Sequence, residues 1–155
     1  VETNPILIER NSPGSALARD LFYYNGVMVN NPGGYTTSFA RLFQYTNQYQ
    51  FTAKGEWINI NQFTSPVQDG FGDLVGSAWD ERNAILYTVS YGEGLIKWDQ
   101  AKNTFNFYNK NNSPLTVSET SGVGVDSKGN AWVSCHRVDA GLPSLFRLGT
   151  NNVWN

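Results

Sequence analysis

The chain is expected to be all-β, and three observations lead there. A Ser-Pro signal recurs at Asn11-Ser12-Pro13, Thr64-Ser65-Pro66 and Asn112-Ser113-Pro114, with gaps of 53 and 48 residues. Each signal precedes a strand-like stretch, a polar turn and a second apolar strand, and no convincing helical period appears between 70 and 155. A repeat of about 50 residues is the length of one four-stranded antiparallel blade of a β-propeller. The reading is therefore about three such blades, with approximate repeats 11–63, 64–111 and 112–155. Three blades are too few to close a ring, so residues 1–155 are read as a single propeller fragment, a partial ring.

The elements follow in order within each repeat. The first strand is expected at Leu21-Phe22-Tyr23, Gly76-Ser77-Ala78-Trp79 and Gly122-Val123-Gly124-Val125. Small residues there suit strands crowded near a ring axis. Polar turns follow at Asn25-Gly26, Asp80-Glu81-Arg82-Asn83 and Asp126-Ser127-Lys128-Gly129-Asn130, where Asn and Gly supply the positive φ of a tight hairpin. The second strands start at Gly26-Val27, Ala84-Ile85 and Gly129-Asn130-Ala131. Leu42-Phe43-Gln44-Tyr45, Leu95-Ile96-Lys97-Trp98 and Leu145-Phe146-Arg147-Leu148 align as the third strand of the three units. Tyr49-Gln50-Phe51, Thr104–Tyr108 and Val153-Trp154 take the fourth place. Phe105 and Phe107 share one face of their strand and Asn106 the other. A helix at Ser15–Arg19 is disfavoured by the Pro13-Gly14 start, and a turn is expected.

A blade has two faces to bury, so Trp79, Trp98 and Trp132, with Leu42, Leu95 and Leu145, are read as core or blade-to-blade packing. Trp154, two residues from the end, is expected to be more exposed. Loops of unequal length separate the second and third strands: 30–38, Tyr91–Gly94 and 137–143. They fall on one rim of the array, where binding surfaces are common. Tyr35, Tyr91, Glu93, His136 and Asp139 are the candidate ligand contacts on that rim.

Composition narrows the chemistry. Charged residues are 15% of the 155, and 11 basic against 13 acidic residues leave a net charge of -2. No basic cluster offers a track for phosphates, so nucleic acid is not an expected partner. Cys135 is the only cysteine and His136 the only histidine, which removes internal disulfides and two-histidine metal sites. In a strand their side chains point to opposite faces, a poor Cys-His dyad, and Cys135 reads as a small buried filler. Asp126-x-Lys128-x-Asn130 resembles the start of a calcium loop, but Lys stands at an acceptor position and no Glu completes it; a hairpin turn is expected. Asp69 and Asp73, flanking Gly70-Phe71-Gly72, are read as a solvated loop. No carboxylate pair, phosphate loop or nucleophile elbow stands out, so the fragment is expected to be non-catalytic and to need no cofactor or metal. No stretch approaches the apolar length of a membrane helix. A start at Val1 without a leader-like run is read as a removed leader or a piece of a longer protein.

Two segments carry a family resemblance: Tyr87–Trp98, with its Ser90, Gly92-Glu93-Gly94 turn and Leu95 strand, and Val125–Ser134, with its Asp-x-x-Gly-Asn-x-Trp-Val run. They resemble the propeller repeats of the periplasmic sensor regions of Bacteroidetes hybrid two-component regulators. They resemble at least as closely the propeller of PorZ-like proteins of the type IX secretion system, where a Tyr-Asn and an Asn-Ser-Pro-Leu segment follow, matched by Tyr108-Asn109 and Asn112-Ser113-Pro114-Leu115. The resemblance covers 71–155 well and 1–70 loosely. In the third repeat Gly141-Leu142-Pro143-Ser144-Leu145 replaces the Gly-Gly-Leu turn of the sensor repeat. The secretion family implies a periplasmic or cell-surface location, a role in surface attachment and lipopolysaccharide as ligand; the sensor family implies a glycan. Either way the expected partners include missing propeller blades or another copy of the chain.

Overall fold

The computed structural model describes residues 11–45, 47–61, 63–64 and 71–155, and they form three antiparallel sheets. The first contains β1 (Asp20–Tyr24), β2 (Val27–Asn31), β3 (Asn47–Phe51) and β4 (Trp57–Asn61). The second contains β5 (Leu74–Asp80), β6 (Ile85–Ser90), β7 (Gly94–Asp99) and β8 (Thr104–Tyr108). The third contains β9 (Thr120–Val125), β10 (Ala131–Cys135) and β11 (Leu145–Leu148). Strands follow sequence order across each sheet, as successive hairpins dictate. The Ser-Pro signal at 64–66 and Asp69 lie largely outside the described residues.

Asn25 (φ 44°) and Gly26 (φ 80°) form the two-residue turn that joins β1 to β2. Asp126 organises the turn between β9 and β10: its carboxylate accepts from Lys128 N (2.9 Å), Asn130 N (3.0 Å) and Asn130 Nδ2 (2.9 Å). Asp80 does the same between β5 and β6, accepting from Arg82 N (3.1 Å) and Asn83 Nδ2 (2.6 Å). The calcium-loop pattern is thus a hairpin. The side-chain donors of Asn130 and then Trp132 hold the Asp126 carboxyl well below its ordinary range.

The sheets stack in order, with β5 beside β1 on one side and β9 on the other. One face of the second sheet carries Trp79, Leu86 and Trp98, which meet Tyr24, Val29 and Phe22 of the first. Its other face carries Tyr87, Val89 and Leu95, which meet Ala131, Val133, Phe146 and Leu148 of the third. Alternation along each strand produces this division: Trp79, Leu86, Trp98 and Phe105 lie in one cross-strand row, and Ala78, Tyr87 and Lys97 in the neighbouring row on the opposite face. Phe105 and Phe107 share a face and stack at 6.4 Å while Asn106 is exposed. The three sheets do not close a ring.

Several expectations need correction. Leu42–Tyr45 is not a strand; the third strand of the first sheet is Asn47–Phe51, the fourth is Trp57–Asn61, and Leu42 is 40% exposed. The extended run breaks there because Phe43 takes a positive φ (55°) and the amides of Phe43 and Gln44 are captured by Asp73 instead of a neighbouring strand. Trp132 (40% exposed) and Leu145 (57%) lie on the face of the third sheet turned away from the second. The Trp132 indole donates to Asp126 Oδ2 (3.1 Å) rather than filling a core. Leu95 alone of the three aligned leucines is fully buried. Val153-Trp154 makes a single bridge to Leu148, and Trp154 is half-buried, edge-on to Tyr108 at 5.4 Å. Crowding explains only part of the first-strand glycines: a Cβ at Gly122 would come within 3.0 Å of Ser134 Oγ, while one at Gly124 would meet open space.

Candidate functional site

All three loops between second and third strands lie on one rim, and the longest reaches across the other two. After β2 the chain passes Pro32-Gly33-Gly34, doubles back through a Tyr35–Arg41 bridge, and returns to β3. Thr36 closes the bend by accepting from Phe39 N through its carbonyl (2.9 Å) and from Ala40 N through its hydroxyl (3.1 Å). The loop is sewn onto the start of the second sheet. Gly33 N donates to Leu74 O (2.9 Å), so close that a Cβ at Gly33 would overlap the Asp73–Leu74 backbone.

Asp73 is the anchor. It is fully buried, and its carboxylate accepts from Phe43 N (2.9 Å), Gln44 N (2.9 Å) and Arg41 Nε (3.3 Å). A buried charge is tolerated only with such partners. The solvated-loop reading of Asp73 is therefore wrong: Arg41 and two amides supplied from 29 to 32 residues upstream take the place of water. Arg41 also donates to Glu93 Oε1 at 2.7 Å. Desolvation is the largest single influence on its guanidinium and pulls the pKa down, but Glu93 and Asp73 together outweigh it and the net shift is upward.

Past this anchor the loop tip reaches the third sheet. Phe39 lies 4.6 Å from the His136 ring, Tyr35 lies 4.5 Å from Tyr91, and Tyr35 and His136 stack with planes 4° apart at 6.2 Å. Tyr91 OH donates to Phe39 O (3.0 Å), as does Arg137 Nη1 (3.4 Å). Burial pushes the Tyr91 phenol up. The Arg19 guanidinium covers the Tyr35 ring at 4.0 Å, within cation–π range. Four non-glycine residues here have left-handed backbone: Phe39 (60°), Phe43 (55°), Asp73 (50°) and Arg137 (57°). Such conformations cost of order 1 kcal/mol or more each and persist where surroundings over-determine them, commonly at functional sites.

Of the rim candidates, Tyr35, Tyr91, Glu93 and His136 come together; Asp139 is exposed in the 137–143 loop, where its carbonyl accepts from Leu142 N (3.1 Å). Cys135 and His136 follow a register shift in the β9–β10 pairing; Cys135 is buried and its thiol is pushed up by burial, while His136 is half-buried among the rings. Sequence reasoning missed Arg19, Phe39, Arg41, Asp73 and Arg137. Only the Pro32-Gly33-Gly34 run hinted at a backbone laid against another. Among the described residues no group of three His, Cys, Asp or Glu side chains could hold a metal ion. The surface thus gathers the rings of Tyr35, Phe39, Tyr91 and His136 beside the guanidiniums of Arg19, Arg41 and Arg137.

No protein-family model and no curated protein matches the chain. Solved structures share its fold. PorZ, an essential bacterial surface component of the type IX secretion system of Porphyromonas gingivalis, superposes with a TM-score of 0.77 at 17% identity, over 99% of this chain and 21% of that one. A protein provisionally named a gluconolactonase gives 0.56 at 13% identity over 95% of this chain and 50% of its own. An auxiliary nutrient binding protein from Bacteroides ovatus gives 0.51 at 14% identity, over 92% and 32%. The chain thus spans about a fifth, a half and a third of these relatives' lengths. What these likenesses establish is the architecture: consecutive antiparallel sheets stacked as propeller blades.

Proposed function

We propose that the chain supplies consecutive blades of a propeller in an exported or cell-surface protein, and serves there as a non-catalytic binding and scaffold module in type IX secretion or surface attachment. The observation that carries this reading is the superposition on PorZ along nearly the whole chain, well above the other two scores. The rim supports it: Arg19 lies over Tyr35 and Arg137 reaches Phe39 beside His136, a chemistry that suits the phosphate and sugar of a lipopolysaccharide. The outward faces of the first and third sheets, with Tyr23 and Leu145 largely exposed, are then covered by further blades or by another copy of the chain.

Immobilised lipopolysaccharide tests the reading by surface plasmon resonance. Saturable binding is expected, and Arg19→Ala with Arg137→Ala should weaken it by about tenfold or more, the size of lost charge-assisted contacts. Absent binding, or binding indifferent to both arginines, would count against the rim. A second reading, a carbohydrate-sensing propeller of a hybrid histidine kinase, draws on the likeness to the nutrient binding protein. Kinase and receiver regions encoded downstream in the same gene would select it.

A further inference from the structure

The rim loop holds one guanidinium that the lipopolysaccharide reading does not use. Arg41 carries two carboxylates of unequal standing. Asp73 accepts from its Nε (3.3 Å) through a side chain that is 0% exposed, and two backbone amides hold that carboxylate in place. Glu93 accepts from Nη1 (2.7 Å) through a side chain that is 34% exposed. Moving Asp73 away would leave a buried charge unpaired. Glu93 can return to water at little cost, because an ion pair open to solvent contributes little.

The guanidinium is fixed before any ligand arrives. It lies against the backbone of Gly92, where a Cβ would come within 2.4 Å of Cζ and Nε and 2.6 Å of Nη1. Glycine permits that approach, and the φ of 135° at Gly92 suits it alone. Gly92 N is in turn tied to Ser118 O, just before β9, at 3.2 Å. The Phe43 ring lies 5.2 Å from Cζ, within cation–π range. Asp73 occupies the Nε edge, whereas Nη2 has no hydrogen-bond partner among the described residues and the side chain stays 24% exposed. The fork of Nη1 and Nη2 is thus the part left to a partner, with Glu93 resting on one prong. A group held in this way loses little freedom on binding.

We infer that Arg41 is the seat of an oxyanion, a phosphate or carboxylate group, and that Glu93 is a built-in competitor which this group displaces. An oxyanion can meet Nη1 and Nη2 together, two charge-assisted bonds in place of the one that Glu93 makes. A neutral ligand would strip Glu93 from the guanidinium and return only weaker bonds. A cation would find Glu93 already paired. Glu93 has room to swing away: it stands between Gly92 and Gly94 (φ 97°), and only its backbone N is tied, to Ser90 Oγ at 3.2 Å. Asp73 stays and offsets the charge of Arg41, so the seat works through hydrogen-bond geometry and Glu93 sets its threshold. The natural ligand that brings the oxyanion rests on the lipopolysaccharide reading; the exchange at Arg41 does not.

Titration of the 155-residue chain with inorganic phosphate, and separately with acetate, tests the exchange. Ionic strength is held constant, and binding is followed by calorimetry and by the Arg41 Nε–H resonance. At least one anion should bind saturably at about millimolar concentration and move that resonance, phosphate marking a phosphorylated ligand and acetate a carboxylated one. Glu93→Gln should tighten binding about tenfold, since it removes a competitor of like charge, with little change in melting temperature. Arg41→Lys keeps the charge but loses the fork, and in the Glu93→Gln background it should abolish the gain. No saturable binding of either anion, a Glu93→Gln variant that binds no tighter, or a gain that survives Arg41→Lys overturns the assignment. Tighter phosphate in Glu93→Gln without any lipopolysaccharide binding would sink the lipopolysaccharide reading and spare the exchange at Arg41. Lipopolysaccharide binding with phosphate indifferent to Glu93→Gln would do the reverse.

Discussion

Between the first and second sheets, the middle of the interface is filled by hydrogen bonds. Gln48 Nε2 donates to Asn31 Oδ1 (3.0 Å) and Thr88 Oγ1 (3.1 Å), Asn31 Nδ2 donates to Ser77 Oγ (2.9 Å) and Asp20 Oδ2 (3.0 Å), and Gln50 Nε2 donates to Gln48 Oε1 (3.0 Å). Between the second and third sheets, Tyr87, Val89, Leu95, Val133 and Phe146 make the same level almost wholly apolar. Two neighbouring interfaces of one repeat array thus separate two jobs. An apolar contact supplies free energy but tolerates sliding, whereas a network of directional bonds among buried amides penalises a wrong register. The exceptions sharpen the contrast. Lys97 is buried in the apolar interface with its ammonium on Asn152 Oδ1 (2.6 Å), and desolvation pulls its pKa down. The Tyr87 hydroxyl, also buried there, has no hydrogen-bond partner.

Substitutions ordered by size can break or refine this comparison. Phe146→Ala, in the apolar interface, should cost about 3–5 kcal/mol by denaturant unfolding, as a large cavity does; a loss below 1 would mean the third sheet contributes little. Asp73→Ala should cost about 3 kcal/mol, because Arg41 and two amides lose a buried acceptor. Limited proteolysis should then cut within 33–45 before any strand, and uniform cutting would deny Asp73 its anchoring role. Gln48→Ala, in the polar interface, should cost about 2 kcal/mol by stranding Asn31, Thr88 and Gln50. A double-mutant cycle with Thr88→Val should show coupling, and strict additivity would dissolve the network.

Tyr87→Phe should stabilise the chain by about 1 kcal/mol, since it removes a buried hydroxyl that bonds to nothing. It should also flatten the alkaline side of the stability profile. Burial, then Asp80 and Tyr108, raises the Tyr87 phenol above its ordinary 10.0. A raised phenol keeps its stabilising effect below pH 10 and loses it as pH climbs toward the folded value, because the unfolded chain ionises first. Melting temperatures from pH 7 to 12 should therefore fall above 10 in the parent chain and fall less in Tyr87→Phe. Smallest of all, Trp132→Ala should cost roughly 0.5 kcal/mol, the usual scale for a surface change. A loss near that of Phe146→Ala would show Trp132 covered in solution.

The same contrast explains what could be read from the sequence. The second repeat was legible because its buried side chains are apolar and alternate: Leu86, Val89, Leu95 and Ile96 announce β6 and β7, and Asp80 and Asp126 announce their hairpins. The first repeat was not. Strand β3 reads Asn-Gln-Tyr-Gln-Phe, and its buried Gln48 and Gln50 look like surface until Asn31 and Thr88 are placed opposite them. Leu42–Tyr45 has a better strand pattern than the true strand, and loses to a buried carboxylate 30 residues away. Rim positions for Tyr35, Tyr91, Glu93 and His136 followed from loop lengths alone. Arg41 and Asp73 did not, since nothing local pairs residues 32 apart.

One feature of the rim loop bears on the order of assembly. Its contacts join residues 52 apart at Tyr91 to Phe39 and 98 apart at Arg137 to Phe39, whereas every sheet is a run of adjacent hairpins. Closing long chain segments carries an entropy cost that short hairpins escape, so the meanders are expected to zip up first and the clasp to fasten last. Reversed in time, the clasp springs before the sheets loosen. Amides of Gly33, Phe39 and Gln44 should then exchange with deuterium well ahead of those in β6 and β10, and equal protection would mean the clasp and the sheets form a single cooperative unit.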